Sequence, residues 1–285
     1  MLEHPYSQHN RRGQFCPGVK ECWIGQSAGK EQAMEFDKSR GYFYGVLLGD
    51  GHINYTQRSL ENAADNKNRR GPMLMLKCCD YEMIDAWRDS IKEITGFGYK
   101  ISKHNPGVNS HGKRKQYKLR VSERLLVDEA QELTAHKTII PNEIWSGSGD
   151  VKKAFIQGLM DSEGWINFFL SDGLKHCDMT LGFACADPWF DDFYRLVNAV
   201  GVETSKIYNR KPAFKKNGEK CKPLRLFKLS IHGYINAGLS FTIKRKRDRL
   251  EFCSRILNDY MRDYPRYDDY YRVDDIVWPN VKALD

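Results

Sequence analysis

Apolar positions along the chain fall into two runs of the same shape, one in each half. The first, FYGVLLGDGHIN over residues 43–54, is opened by two aromatics and stops at Gly49-Asp50-Gly51. The second, FIQGLMDSEGWIN over residues 155–167, has the same outline, with Glu163-Gly164 in place of Asp50-Gly51. Both continue as Gly-aromatic-Ile-Asn, so the two acids stand 113 residues apart (163 − 50) in matching frames. Each run reads as a helix that ends at an acid.

The segments downstream of the two runs repeat as well. MLMLKCCD (73–80) and MTLGFACAD (179–187) alternate with the period of a half-buried strand and end in an acid placed to cap a helix. The helices YEMIDAWRDSIKEITGFG and PWFDDFYRLVNAVGV then finish at glycine-containing turns. YKISKHN and SKIYNRK, basic loops, and the strands YKLRVS (117–122) and FKLSIH (227–232) come next. The pattern predicts an α+β fold made of a pseudo-twofold, duplicated αββαββα repeat with antiparallel sheets. Its expected parts are an N-terminal extension (1–38), a first repeat (39–140), a linker (141–149), a second repeat (150–262) and an acidic, aromatic tail (263–285).

The two motif helices carry small residues four apart, Gly45 and Gly49 in the first, Gly158 and Ser162 in the second. That spacing puts the small groups on one face, where two backbones approach closely. Asp37 or Ser39 is the expected N-cap of the first helix and Asp150 of the second. If the faces meet, Asp50 and Glu163 come together at adjoining helix ends. Such an arrangement is electrostatically unfavourable, because a helix C-terminus already carries about half a negative charge. Two carboxylates there repel, share a proton, or take up a hard divalent cation. The carbonyls of Gly49 and Ser162 are further candidate oxygen ligands. A plain alternative is that the acids splay apart into solvent.

YGVLLGDG and QGLMDSEG resemble the two motifs of the LAGLIDADG homing endonucleases in their single-chain form, and the resemblance covers residues 39–262. It implies two curved sheets forming a DNA-binding saddle, joined by the two motif helices. It also implies that the last acid of each motif, Asp50 and Glu163, binds Mg²⁺, with Mn²⁺ substituting. Leu48 and Asp161 occupy the sixth motif position, which is structural in the family. A lysine late in each repeat supports catalysis in the family. Lys244 in FTIKRKRDRLEF is the best match, with Lys246 next, and Lys137 in AHKTIIPNEIW is its partner. An additional isoleucine before Pro141 leaves the register of Lys137 open. Lys77 matches a polar position that supports the attacking water, or is an ordinary groove contact; its counterpart is Ala184.

Charge agrees with a nucleic-acid partner. The 285 residues carry a net charge of +8, and the excess is clustered. Residues 206–228 hold nine lysines and arginines against one glutamate, including Arg210, Lys211, Lys215, Lys216, Lys222, Arg225 and Lys228. HGKRKQYKLR (111–120) supplies Lys113, Arg114, Lys115, Lys118 and Arg120, and NKNRR (66–70) supplies Arg69 and Arg70. With Lys77 and Lys246 these are the expected contacts to double-stranded DNA, and the resemblance implies a monomer on a long, asymmetric target. The rival readings on this scaffold are a maturase that binds intron RNA and a DNA-binding regulator that does not cut. No apolar run approaches the ~18 residues of a membrane span, and no secretory signal opens the chain, so an intracellular protein with reduced cysteines is expected. Cys78, Cys79, Cys177 and Cys185 read as small buried residues. Cys16 and Cys22, with His4 and His9, have a spacing that fits no common zinc pattern. No Ser-His-Asp or Cys-His arrangement competes, and His52, opposite Trp165 in the second motif, receives no catalytic role.

Overall fold

Asp37 starts the first motif helix by accepting a hydrogen bond from Arg40 N at 2.8 Å. A computed structural model of the chain describes residues 36–54, 72–104, 115–171, 176–210, 218 and 223–263. The expected N-terminal extension with Cys16 and Cys22, the tail beyond Asp263, and the loop residues Arg69, Arg70, Lys113, Arg114, Lys211, Lys215, Lys216 and Lys222 lie outside them. The first repeat runs α1 (Lys38–Leu48), β1 (His52–Asn54), β2 (Met73–Cys78), α2 (Tyr81–Thr95), β3 (Ser102–His104), β4 (Gln116–Val121) and α3 (Arg124–Leu133). A short α4 (Asn142–Ser146) leads into the second repeat. That repeat runs α5 (Gly149–Ser162), β5 (Gly164–Ser171), β6 (His176–Cys185), α6 (Phe190–Ala199), β7 (Tyr208–Arg210), β8 (Leu224–Leu229), α7 (Ile231–Asn236) and α8 (Lys244–Asp263).

The strands form two four-stranded antiparallel sheets of identical order, β1-β2-β4-β3 and β5-β6-β8-β7. Their registers correspond: His52 pairs with Met75 and Met75 with Arg120, while Trp165 pairs with Gly182 and Gly182 with Lys228. The expected α+β duplication is present residue for residue at the sheet centres. Alternation sends Leu74, Leu76, Leu119 and Val121 of the first sheet, and Leu181, Phe183, Phe227 and Leu229 of the second, into the core. Behind the second sheet, Phe183 meets Phe193 at 4.3 Å between ring centroids and Phe190 meets Phe227 at 5.5 Å. Behind the first, Trp87 stacks on Phe43 of α1 at 5.7 Å and its indole N–H donates to the Phe43 carbonyl.

Helix α1 is buried from Gly41 to Leu48, as its uniformly apolar coat requires. It packs on α5, and the glycines set the separation. A Cβ on Gly158 would stand 2.6 Å from the Tyr42 carbonyl oxygen, and one on Gly45 would stand 3.0 Å from Leu159 N. Backbone lies against backbone there, so no side chain fits.

Four local expectations need correction. Helix α5 begins at Ser148, whose side chain accepts from Val151 N; Asp150 lies inside the first turn and pairs with Lys38 at 2.9 Å. Strand FKLSIH stops at Leu229, because the Ser230 hydroxyl accepts from Gly233 N and starts a helix. Asp80 makes no side-chain cap to α2; its carboxylate is taken by Arg245. Cys185 is buried and Cys78 half-buried, but Cys79, one residue past β2, is exposed, and the side chain of Cys177 lies outside the described ones.

Candidate active site at the paired helix ends

The close packing of α1 on α5 brings their C-terminal ends together. A Cβ on Gly49 would fall against Ser162, 2.8 Å from its Oγ and 3.7 Å from Cγ of Glu163. Asp50 follows Gly49 directly, so both motif acids lie at the adjoining helix ends, and the charge of Asp50 raises the Glu163 carboxyl. Glu163 is pushed up to about 7, first by burial and then by the charges of Asp50 and Asp187. Asp50 keeps an exposed edge, yet the protein around its carboxyl desolvates it and raises it, against the pull of Lys246 and Lys137. Burial thus raises both acids of the pair.

Two lysines close the helix ends. Lys137 Nζ donates to the carbonyls of Gly49 at 3.0 Å and Gly51 at 2.7 Å. Lys246 is 7% exposed, and its Nζ donates to the carbonyls of Met160, Asp161 and Gly164 at 3.0, 2.6 and 2.7 Å. Each ammonium meets the negative end of a helix, where a cation is favourable. Desolvation lowers both amines, Lys246 to about 8.

Lys246 therefore takes the place expected of Lys244. Lys244 points outward from the first turn of α8 and pairs with Asp248 one turn on. The register of Lys137 is resolved as well. Ala135, His136 and Lys137 take left-handed backbone, with φ of 41°, 57° and 67°. Left-handed conformation costs about 1–2 kcal/mol per non-glycine residue. Thr134 offsets that cost: its Oγ1 donates to the Ala130 carbonyl at 2.6 Å and accepts from Lys137 N at 3.1 Å.

Asp161 is buried beneath the second helix end at 1% exposure. It accepts from Tyr42 Oη at 2.9 Å and from Thr242 N at 3.0 Å, and its carboxyl is pushed up to about 6, by burial above all. Gln157 Nε2 donates to Thr242 Oγ1 at 2.9 Å, so α5 grips the segment that leads into Lys246 at two points. In the first motif Leu48, also buried, leaves that grip to the left-handed turn.

Divalent metal suits this donor set. Among the described residues no cluster of three or more metal-ligating side chains exists, so a cation held by Asp50 and Glu163 would need other oxygens to complete its shell. Mg²⁺ is commonly held in that way, by one or two carboxylates with waters and substrate phosphates. A bound cation would also relieve the burial and repulsion that hold the Glu163 proton. Gly49 O already accepts from Lys137, which leaves one lone pair for another partner; Ser162 Oγ donates to the Gly158 carbonyl at 3.1 Å.

The basic residues divide between the two faces of the sheets. Lys77, Lys118 and Arg120 alternate with the buried Leu76, Leu119 and Val121 and so share the face away from the helices. Lys228 and Arg210 are exposed on β8 and β7, and Lys115 is exposed just before β4. Arg225 does not join them. It shares the parity of Phe227, stacks over Phe190 at 4.7 Å and forms a two-pronged ion pair with Asp191 at 2.7 and 2.6 Å. Lys246 is likewise turned into the protein rather than toward a groove.

Sequence reading missed Gly41, which extends the glycine face one turn and whose Cβ would meet Ala154 at 3.2 Å. Its four-residue spacing from Gly45 was a usable signal. It also missed Arg245, which ties the second repeat to Asp80 of the first through two 2.8 Å bonds. Nothing in the sequence singles out Arg245 within KRKRDR.

No protein-family model matches the sequence, and no curated protein matches it. Among solved structures the chain is similar to I-DmoI in complex with DNA and Mn, at 18% identity over 70% of this chain and 93% of that chain, with a TM-score of 0.43. It is similar to the homing endonuclease I-WcaI bound to its DNA recognition sequence, at 11% identity over 81% and 94%, with a TM-score of 0.43. It is also similar to the N-terminal LAGLIDADG domain of DUF199/WhiA, at 10% identity over 72% and 82%, with a TM-score of 0.35. Likenesses at this level leave function to the site itself. No helix among the described residues is long and apolar enough to cross a membrane.

Proposed function

We propose that the protein is a double-strand DNA endonuclease of the LAGLIDADG type, acting as a monomer on a long, asymmetric target. The observation that carries this reading is the meeting of Asp50 and Glu163 at adjoining helix ends, each end closed by a lysine, Lys137 or Lys246. A structural role alone would not call for an acid at each of two adjoining helix ends; a divalent-metal site does.

Asp50 and Glu163 are the residues that would hold Mg²⁺, with Mn²⁺ as a substitute. When bound, such a cation polarises a phosphate and lowers the pKa of its water. The chain's own contribution is positional. The glycine face fixes the separation of the acids, and the lysines fix the carbonyls on either side of them. Lys137 and Lys246 also set positive charge beside the place where the phosphate gains negative charge, a preorganised arrangement. On the outer face, Lys77, Lys118 and Arg120 oppose phosphates or base edges. Lys77 and Lys118 stand directly opposite each other across β2 and β4.

The test is a Mg²⁺-dependent cleavage screen against the insertion-free allele of the gene's own locus and its flanking DNA. Wild type is expected to cut both strands at one site, and Asp50→Asn to bind that site without cutting. Tight binding with no nicking under Mg²⁺ or Mn²⁺ would replace this reading with a non-cleaving DNA-binding role. Tight binding of the host intron RNA alone would replace it with a maturase role.

A further inference from the structure

The outer faces of the two sheets are not chemically alike, although their registers correspond. In the first sheet the cross-strand row is Lys77–Lys118–Ser102, with two lysines in it. The equivalent row of the second sheet is Ala184–Leu226–Tyr208, with no charge in it. One row nearer the helix ends, the first sheet has His52–Met75–Arg120 and the second Trp165–Gly182–Lys228.

Gly182 is where the second row gains its shape. A Cβ there would stand 2.7 Å from Cε2 and 2.8 Å from Cη2 of Trp165, so the indole occupies the space over the strand. The result is an apolar strip of Trp165, Ala184, Leu226 and Tyr208 on the face away from the helices. Tyr208 is 42% exposed. Lys228 and Arg210, both exposed, flank the strip and complement phosphates on either side of it. Apolar groups bordered by cations match one feature of a DNA major groove, the C5-methyl of thymine between two phosphate chains.

We infer that the second sheet reads thymine methyl groups through Trp165, Ala184, Leu226 and Tyr208, whereas the first sheet reads hydrogen-bond acceptors, guanine foremost, through its lysines and Arg120. The inference rests on the duplex-DNA reading above and adds the chemistry of each half-site. It makes the target asymmetric for a physical reason: one half is selected by charge-assisted hydrogen bonds, the other by methyl burial. The first half depends on guanine O6 and N7, the second on a group that uracil lacks.

Binding selection from a randomised duplex library tests this without any need for cleavage. Wild type is expected to enrich guanine in one half-site and thymine in the other. Ala184→Lys restores the residue type of the first sheet, so it identifies the half under the second sheet by changing a thymine preference there to guanine. Replacing the selected thymines by deoxyuridine is expected to weaken binding about fourfold per position, the change equivalent to ~0.8 kcal/mol for one buried methyl or methylene. The same replacement in the other half should leave affinity unchanged. Tight binding that ignores deoxyuridine in both halves, or responds only in the half that Ala184→Lys leaves unaltered, overturns the inference while the DNA reading stands. A chain that selects no DNA at all overturns both. Thermal melting of Ala184→Lys alongside wild type separates a change of preference from a loss of fold.

Discussion

Lys137 and Lys246 hold equivalent carbonyls: Gly51 O accepts from the first and Gly164 O from the second, each at 2.7 Å. Their backbones arrive there differently. Lys137 sits on a left-handed turn that Thr134 braces, and Lys246 lies in the first turn of α8. The duplication has conserved the chemical end point and not the local path to it. Asymmetry between the halves therefore starts at the lysines of the helix ends as well as at the sheets.

Lys246→Met is expected to reduce cleavage about 10²–10³-fold, the scale of losing one preorganised donor. Lys244→Met, which breaks only an exposed pair with Asp248, is expected to stay within about twofold of wild type. A single-turnover assay on both variants at matched folding, checked by thermal melting, decides between the two lysines.

Asp161→Asn keeps the shape of the side chain but weakens its hold on Thr242 N and Tyr42 Oη. Because Thr242 leads into Lys246, cleavage of one strand is expected to slow, by up to about 10²-fold where a displacement approaches 1 Å. The other strand, served by Lys137, should be cut at nearly the wild-type rate, so nicked product accumulates. Equal slowing of both strands would mark Asp161 as a general stability residue instead.

Glu163 gives stability a definite pH dependence. Its folded value of about 7 lies above the ordinary 4.5, so between those values the folded state binds more protons than the unfolded one. Without divalent cation, stability is expected to fall as pH rises through that window. Asp161, raised from 3.8 to about 6, adds the same sign over the lower part of it. Mg²⁺ should flatten the upper part by displacing the Glu163 proton, and Glu163→Gln should abolish the upper part altogether. Melting curves between pH 5 and 8 (a range of about one unit either side of these values), with and without Mg²⁺, read both effects.

The helix interface is open to a steric test. Gly158→Ala places a Cβ 2.6 Å from the Tyr42 carbonyl and is expected to destabilise by about 1–3 kcal/mol or more, since backbone must shift. Gly149→Ala, where a Cβ would meet nothing within 4 Å, should leave the melting temperature nearly unchanged.

Much of this was legible in the residues and some was not, for identifiable reasons. Asp50 and Glu163 were visible because both are locked to the same flanking pattern, and Gly45 and Gly158 because four-residue spacing on a helix defines a face. Arg225 was misjudged although the sequence held the answer: it shares the strand parity of Phe227 and Leu229, and so faces the helices. Lys246 was harder. In KRKRDR nearly every side chain is basic, and only the start of α8 at Lys244 decides which one turns inward. Ser148 won the cap from Asp150 because a helix start is set by which side chain reaches an N–H three residues on, and both qualify by composition. The Asp80–Arg245 bridge links residues 165 positions apart and depends wholly on tertiary placement.

Asp50 and Glu163 acting as one metal-dependent cleavage site is the central claim. Its most direct measurement is strand-resolved cleavage of the selected target by wild type, Asp50→Asn and Glu163→Gln, titrated with Mg²⁺. Wild type should cut both strands only when Mg²⁺ is present, and each variant should bind the target with wild-type affinity while cutting at least ~10³-fold more slowly, about 4 kcal/mol of lost transition-state stabilisation. Cleavage by wild type in the presence of excess chelator, or undiminished cleavage by both variants, would contradict it.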